Sequence, residues 1–271
     1  ISFCEQFGYP VILKPRKQWA SKGVIKIENR DSLSNILFSN SFDDYVVEEY
    51  VSGKLYHVDG FFNGHSIEFC CCSMYVKNCL EALEEDFGLG SVMIDIDSKE
   101  DKILKQYTED VLKIFGVDYN TIFHAEVFID NLGKPILCEI GSRLVGGEYT
   151  KNINASFSIN LDECLVKREL GIPYKLNKDS NARLSGKVWI PAQNGYVRSI
   201  PTLAMDGIIE MQIKQYKNIH FAGLKKQMDY LITVSFFGSD FEDLLQKAIY
   251  IKDFYKKSIN WTETISHTWF I

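Results

Sequence analysis

Residues 121–147 read TIFHAEVFIDNLGKPILCEIGSRLVGG. Two apolar runs, each interrupted by a glutamate, flank Asn131-Leu132-Gly133, which predicts two antiparallel strands around a tight turn. Alternation along the first strand puts His124, Glu126 and Phe128 on one face and Phe123, Ala125 and Val127 on the other. Pairing across the turn makes Glu126 and Glu139 neighbours, each surrounded by apolar residues. Two such carboxylates repel, and a buried acid without a partner is strongly disfavoured. A hard divalent cation is one remedy, because Mg²⁺ takes one or two carboxylates plus nucleotide phosphates. Exposure to water and pairing with Arg143, four residues on, are the others. The stretch alone leaves all three open.

Upstream, KPRKQWASKGVIKI (residues 14–27) closes one short strand, PVILKP, and opens another, VIKI, across a basic loop. Neither a Walker A sequence nor GxGxxG occurs in the chain, so two common phosphate cradles are absent. A lysine on a rigid strand and backbone N–H groups from a flexible loop offer another. Lys14 and the loop Arg16 to Gly23 match that scheme, and a solvated basic hairpin matches it too. VVEEYVSGK (residues 46–54) reads as a strand end, or as a hinge whose backbone reads an adenine edge.

The rest of the chain alternates between short strands and helices. A helix to about Phe38 has Asp31 and Ser32 available as caps. GKLYHVDGFFNGHSIEFCCCSMYV predicts a hairpin turning at Asn63-Gly64. Residues 77–92 are acidic and read as irregular, and residues 99–115 carry helical periodicity. GSRLVGGEY leads into one helix ending near Gly171. From about Asn181 strands and turns dominate, until a helix begins at Asp240 with Asp243 approximating a capping box. The class is α+β with antiparallel hairpins.

With 271 residues, 46% hydrophobic and 24% charged, the chain suits a soluble globular protein of about two domains. A net charge of −6 argues against a nucleic-acid surface. No apolar run approaches the roughly 18 residues needed to span a bilayer. The opening ISFCEQFGYP reads as the end of a helix stopped by Gly8, as if a segment preceded it. Cys70, Cys71 and Cys72 alternate faces and cannot converge on one metal. No CxxC spacing occurs, which predicts reduced thiols in a cytoplasmic protein. The five histidines (57, 65, 124, 220 and 267) read as scattered structural residues, with His124 the one on Glu126's strand face.

The order of these pieces resembles the ATP-grasp superfamily, and within it the carboxylate–amine ligases similar to L-amino acid ligases. GYPVILKP, a small loop, EEYV, and the two-glutamate hairpin followed by Arg143 and Gly146-Gly147 carry the resemblance over residues 5 to about 150. It continues more loosely through 182–256. It implies an ATP-grasp fold of two lobes with antiparallel sheets enclosing the nucleotide: a small lobe (1–76), a large lobe (77–180) and a β-rich C-terminal subdomain (181–271). It implies ATP and Mg²⁺ as cofactors, a carboxylate and an amine (amino acids) as substrates, and amide-bond formation through an acyl phosphate. No nucleic acid or membrane is involved, and a homodimer is among the assemblies it allows. A further domain upstream would supply another phosphate-contacting lysine.

Residue by residue, Lys14 matches the lysine at the α- and β-phosphates. Lys22 and Gly23 fall in the phosphate-covering loop, and Glu48, Glu49, Tyr50 and Val51 in the adenine hinge. Glu126 and Glu139 match the Mg²⁺ ligands, and Arg143 the arginine on the transferred phosphate. Gly146 and Gly147 match the turn beside the substrate, and Ser91 a wall of its pocket. Three positions depart from the pattern: Leu55 stands where a ribose-binding acid is common, Gly141 where a third metal ligand is common, and the loop holds Trp19 and few glycines. A catalytically degenerate ATP-binding module is the alternative those departures favour. A biotin-dependent carboxylase subunit and a non-enzymatic scaffold with solvated glutamates are the others.

Overall fold

The computed structural model describes residues 2–18, 20–39, 42–84, 87–174, 176, 182–224 and 229–263. Helix α1 (Ser2–Phe7) precedes strands β1 (Val11–Pro15) and β2 (Ile25–Ile27), helix α2 (Arg30–Ser39) and strand β3 (Tyr45–Glu49). These strands pair antiparallel in the order β2-β1-β3. Alternation on β1 turns Val11 and Leu13 to one side, where they meet Ile27, Cys4 of α1 and Leu33 of α2 in a small core of their own. The cap of α2 is Asn29 rather than Asp31 or Ser32, because the helix already begins at Arg30. Asn29 Oδ1 accepts the Ser32 N–H at 2.9 Å while Ser32 Oγ accepts the Asn29 N–H at 3.1 Å.

The chain continues through β4 (Gly53–Asn63), β5 (Ile67–Tyr75), α3 (Cys79–Glu84), β6 (Gly90–Met93), α4 (Lys99–Ile114), β7 (Asn120–Asp130) and β8 (Pro135–Gly141). Then come α5 (Tyr149–Phe157), α6 (Leu161–Glu169), β9 (Ser185–Pro191), β10 (Asn194–Ser199), β11 (Ile208–Ile213), β12 (His220–Ala222), β13 (Tyr230–Phe237), α7 (Phe241–Ser258) and β14 (Asn260–Thr262). Eight strands form one sheet in the order β11-β13-β9-β6-β5-β4-β7-β8, and β12-β10-β14 form a small third sheet. The β4–β5 hairpin, grouped with the small lobe on sequence, pairs into the large sheet, and so do β9, β11 and β13.

Three local readings differ. The turn after Asn63 spans residues 64–66, because Asn63 Oδ1 accepts the N–H groups of both His65 and Ser66 at 2.9 Å. Residues 77–92 hold a short helix and a strand rather than irregular chain. The helix expected to end near Gly171 is two, broken where Ser158 takes φ +56°, and Asn160 caps the second by accepting the Glu163 N–H at 3.0 Å. By contrast, Ser98 starts α4 and Asp240 starts α7, each accepting the N–H three residues on.

Register gives the large sheet two unlike faces. Tyr56, Val58, Cys72, Met74, Phe123, Ala125 and Val127 share one face and bury against Leu104 and Leu112 of α4. Further along that face Val92, Val188 and Val234 pack on Leu244, Ala248 and Ile251 of α7. The opposite face carries His57, Asp59, Ser73, Ser91, His124 and Glu126, partly covered by α5. Hydrophobic burial anchors the sheet from one side and leaves the polar side for chemistry.

Lys252 of α7 ties this architecture to the loop before β6. Its Nζ donates to the carbonyls of Phe87, Gly88 and Trp189 at 2.8, 3.1 and 3.2 Å. Burial pulls the ammonium down to about 7, while three acceptors match the three N–H groups of its charged form. Lys252→Met is expected to lower stability by roughly 2–4 kcal/mol, since it takes the donor from three carbonyls, two of them buried. The urea unfolding midpoint checks this.

Candidate active site

A cleft of about 950 Å³ lies between the small sheet and the polar face of the large one. Lys14 and Lys22 line it from the small sheet and its loop, with Glu48, Glu49, Tyr50 and Val51 at the end of β3 and beyond. Ser91, Glu126, Glu139, Arg143, Gly146 and Gly147 line it from the large sheet and the segment after β8. Of the residues expected at the site, Gly23 alone is off the cleft wall: a Cβ there would meet Pro15 and the Tyr45 hydroxyl, both at 3.1 Å. Trp19 lies outside the described residues, as does His267. In the loop, Ala20 and Ser21 hold φ +56° and +55°, a conformation glycine takes without strain and other residues seldom adopt.

Glu126 and Glu139 are register partners across β7–β8. The register shifts beside them, so that Val127 pairs with Leu137 and Cys138 is the extra residue of a β-bulge. Such a bulge re-aims side chains, and Cys138 and Glu139 both line the cleft. The remedies weighed on sequence divide between the two acids. Glu139, 43% exposed, has Lys14 Nζ at 3.2 Å from the opposite sheet and Arg143 at 3.6 Å. Burial opposes the charge on Lys14, but Cys138, Glu139 and Glu48 outweigh it and hold its pKa above the ordinary value.

Glu126 is the less exposed member, at 15%, and accepts the Tyr75 hydroxyl at 2.8 Å. Burial works against its ionisation, yet His124, Tyr75 and His57 hold its carboxyl below the usual range. This all-oxygen pair, with cations on one side, is the donor chemistry of a hard divalent ion such as Mg²⁺ rather than of a softer metal. Both acids border the cleft, so neither is a bulk-solvent glutamate.

Beneath the pair runs a buried ladder. His124 Nδ1 lies 2.7 Å from Asp59 Oδ1, and His124 Nε2 lies 3.7 Å from Glu126 Oε1. His57 Nδ1 lies 2.5 Å from Asp59 Oδ2, and His57 Nε2 lies 2.6 Å from Ser91 Oγ. Burial disfavours an imidazolium at His124, but Asp59 and Glu126 overcome it and raise the group to about 9. The two imidazoles overcome burial at Asp59 in turn and hold its carboxyl well below the usual range. Ligand atoms of His57, Asp59 and His124 lie within 4.8 Å of one another. Contacts of 2.5 and 2.7 Å are hydrogen bonds, shorter than the spacing of ligands around a zinc ion. The histidines read as scattered therefore include two whose rings stand 5.7 Å apart in one network.

The sequence reading missed His57, Asp59, Tyr75, Asn78 and Trp189. The spacing of His57 and Asp59, two apart on a strand, was the available signal for the first two. Asn78 accepts the Leu55 N–H at 3.0 Å and donates to the Gly53 carbonyl at 3.1 Å, fixing the chain just after the hinge. Leu55 is buried and lines the cleft with an apolar side chain. Lys26 stacks its ammonium 4.4 Å from the Tyr50 ring centre.

Gly147 takes φ +65°, and a Cβ there would sit 2.6 Å from Trp189 Cζ2. The indole therefore packs against a position only glycine fills without strain. Gly147→Ala is expected to cost roughly 1–3 kcal/mol in stability and to displace Trp189 from the cleft wall. Urea unfolding and indole fluorescence check both parts.

Among the described residues no helix is long and apolar enough to cross a membrane. No curated protein sequence matches the chain. Several solved structures are similar in fold. L-amino acid ligase from Bacillus licheniformis superposes with a TM-score of 0.73 at 13% identity, over 98% of this chain and 67% of that one. N5-carboxyaminoimidazole ribonucleotide synthetase from Thermotoga maritima gives 0.64 at 18% identity, over 93% and 63%. The biotin carboxylase domain dimer of the 2-oxoglutarate carboxylase from Hydrogenobacter thermophilus, in complex with MgADP, ADP and bicarbonate, gives 0.62 at 12% identity, over 96% and 59%. The chain thus spans two thirds or less of the length of these structures. The family model of the ATP-grasp domain matches residues 7–152. That match covers more than half of the sequence and both flanks of the cleft, and the chain belongs to the ATP-grasp family.

Proposed function

We propose that the cleft binds MgATP and joins a carboxylate to an amine, as an ATP-dependent ligase acting through an acyl phosphate. The observation that carries this reading is the Glu126–Glu139 pair, in register on one sheet, with Lys14 reaching Glu139 at 3.2 Å from the other. Glu126 and Glu139 would hold Mg²⁺, which when bound supplies charge neutralisation at the β- and γ-phosphate oxygens. Lys14 holds the α- and β-phosphates, and Lys22 in the covering loop adds positive charge above them. Glu48, Glu49, Tyr50 and Val51 form the adenine side, with the Tyr50 ring and the Leu55 side chain as apolar surface.

Arg143 steadies the transferring phosphoryl group. A substrate carboxylate oxygen bonds to the γ-phosphorus as the bond to ADP breaks. The amine lone pair then attacks the acyl carbon, phosphate leaves with the C–O bond pair, and the amine proton passes to solvent. The contribution of these side chains is positioning and fixed charge. Gly146, Gly147 and Ser91 border the substrates, for which amino acids are proposed. Covering lobe, metal-bearing lobe and C-terminal subdomain form part of this reading, with the β4–β5 hairpin counted in the sheet that bears Glu126 and Glu139.

A second reading, an ATP-binding module without catalysis, is favoured by Leu55 on the cleft wall and Gly141 after Glu139. An ADP-release screen over pairs of the twenty amino acids, with the full-length protein, MgATP and single-acid controls, separates the two. Pair-dependent ADP release is the expected outcome, and nucleotide binding without release supports the second reading.

A further inference from the structure

Among the described residues, the hydrogen bonds and ion pairs of the Glu126 carboxylate fall on one of its two oxygens. The Tyr75 hydroxyl donates to Oε1 at 2.8 Å, and His124 Nε2 lies 3.7 Å from the same atom. Oε2 is the oxygen left for the cleft. Tyr75 is built to hold Oε1: it stands on β5, buried, with its ring packed 5.0 Å from the His57 ring centre, and it forms part of the cleft wall. A hydrogen bond to a charged oxygen is among the stronger kinds, and turning Oε1 toward a metal ion would break it.

Glu139 is limited in the same way. Its Oε2 faces Lys14 Nζ at 3.2 Å and its Oε1 faces Arg143 at 3.6 Å. Gly141, two residues on, has no side chain to add a ligand, although a Cβ there would meet nothing closer than Arg143 Cγ at 3.5 Å. The pair therefore presents single oxygens rather than a two-oxygen grip. Ca²⁺ gathers more oxygens than Mg²⁺ and readily takes both from one carboxylate. Mg²⁺ keeps a tight octahedron of single oxygens from carboxylates, phosphates and water.

We infer that Tyr75 makes Glu126 a one-oxygen ligand and so biases the cleft toward Mg²⁺ over Ca²⁺. Tyr75 is a positioning residue that acts through Glu126. The inference rests on the Mg²⁺ assignment of the ligase reading and deepens it by naming what disfavours the competing ion. In Tyr75→Phe, Oε1 is free to swing to the ion. Ca²⁺ then gains a second oxygen, while Mg²⁺ loses the restraint on the one it uses.

Mn²⁺ serves as the probe, bound to the full-length protein with a non-hydrolysable ATP analogue and read by electron paramagnetic resonance. Mg²⁺ and Ca²⁺ displace it in separate titrations, and the analogue without protein gives the solution reference. The unaltered protein should prefer Mg²⁺ over Ca²⁺ by about tenfold or more beyond the analogue alone. Absence of that extra preference overturns the inference with no variant needed, so a variant that fails to fold does not protect it. Tyr75→Phe should lower the preference by about tenfold, through weaker Mg²⁺ binding, tighter Ca²⁺ binding or both. Equal weakening of the two ions would make Tyr75 merely structural and overturn the inference, as would an unchanged preference.

Failure of the ligase reading looks different. If the preference shifts but no acid–amine pair releases ADP, the inference stands on an ATP-binding module. If protein and analogue together hold no Mn²⁺, the metal leaves Glu126 and Glu139 and the inference falls with it.

Discussion

Glu139→Gln is expected to lower magnesium-dependent ATP turnover by about 100-fold or more. Glutamine keeps the size of the side chain and one oxygen but removes the charge that a hard cation and Lys14 both use. The change should leave the fold alone, because Glu139 is 43% exposed and its ion pairs to Lys14 and Arg143 stand at the cleft mouth. Half-exposed pairs of this kind contribute about 1 kcal/mol, so the thermal midpoint should shift by less than about 4 °C. Turnover within about threefold of the unaltered protein would remove Glu139 from the proposed metal site.

Asp59→Asn carries the largest expected effect on stability. Asp59 is fully buried, and its two oxygens take His57 and His124 at 2.5 and 2.7 Å. An amide leaves the buried His124 imidazolium with Glu126 alone and sets an N–H₂ against one of the two imidazole donors. Breaking a buried charge pair from one side costs about 3–5 kcal/mol. The pH dependence follows from the sign of the shift. Asp59 has a depressed pKa in the folded protein. Its contribution is therefore present above the ordinary carboxylate value of about 4 and lost as pH falls below it. Urea unfolding at pH 7 and at pH 3 should show the variant's deficit shrinking in acid. A deficit below about 1 kcal/mol at pH 7 would mean that the ladder contributes little.

Local and distant contacts differ in how far the sequence discloses them. Glu126 and Glu139 could be paired on sight because Asn131-Leu132-Gly133 fixes a short-range register. Lys14 could be placed on a strand, but nothing in the sequence near it shows that its ammonium crosses to Glu139. His57 and Asp59 meet His124 only through the β4–β7 register, which joins segments separated by two other strands and two helices. Alternation tells which residues share a face, and it cannot tell which sheet a hairpin joins. Hence the sequence does not disclose that the β4–β5 hairpin pairs with β6 and β7 rather than with β1 and β3. The break between α5 and α6 was hidden for another reason: Ser158 takes a left-handed conformation without the glycine or proline that would have marked it. Leu55 and Asn78 show the same limit, since one looks like a lost ribose contact and the other ties down the backbone beside it.

Oxygen transfer from the acid substrate tests the central claim most directly. With the carboxylate labelled in oxygen-18 and the full-length protein turning over MgATP and an amine, the released phosphate should carry one labelled oxygen for each amide formed. Unlabelled phosphate, or no phosphate from any acid–amine pair, would contradict the account.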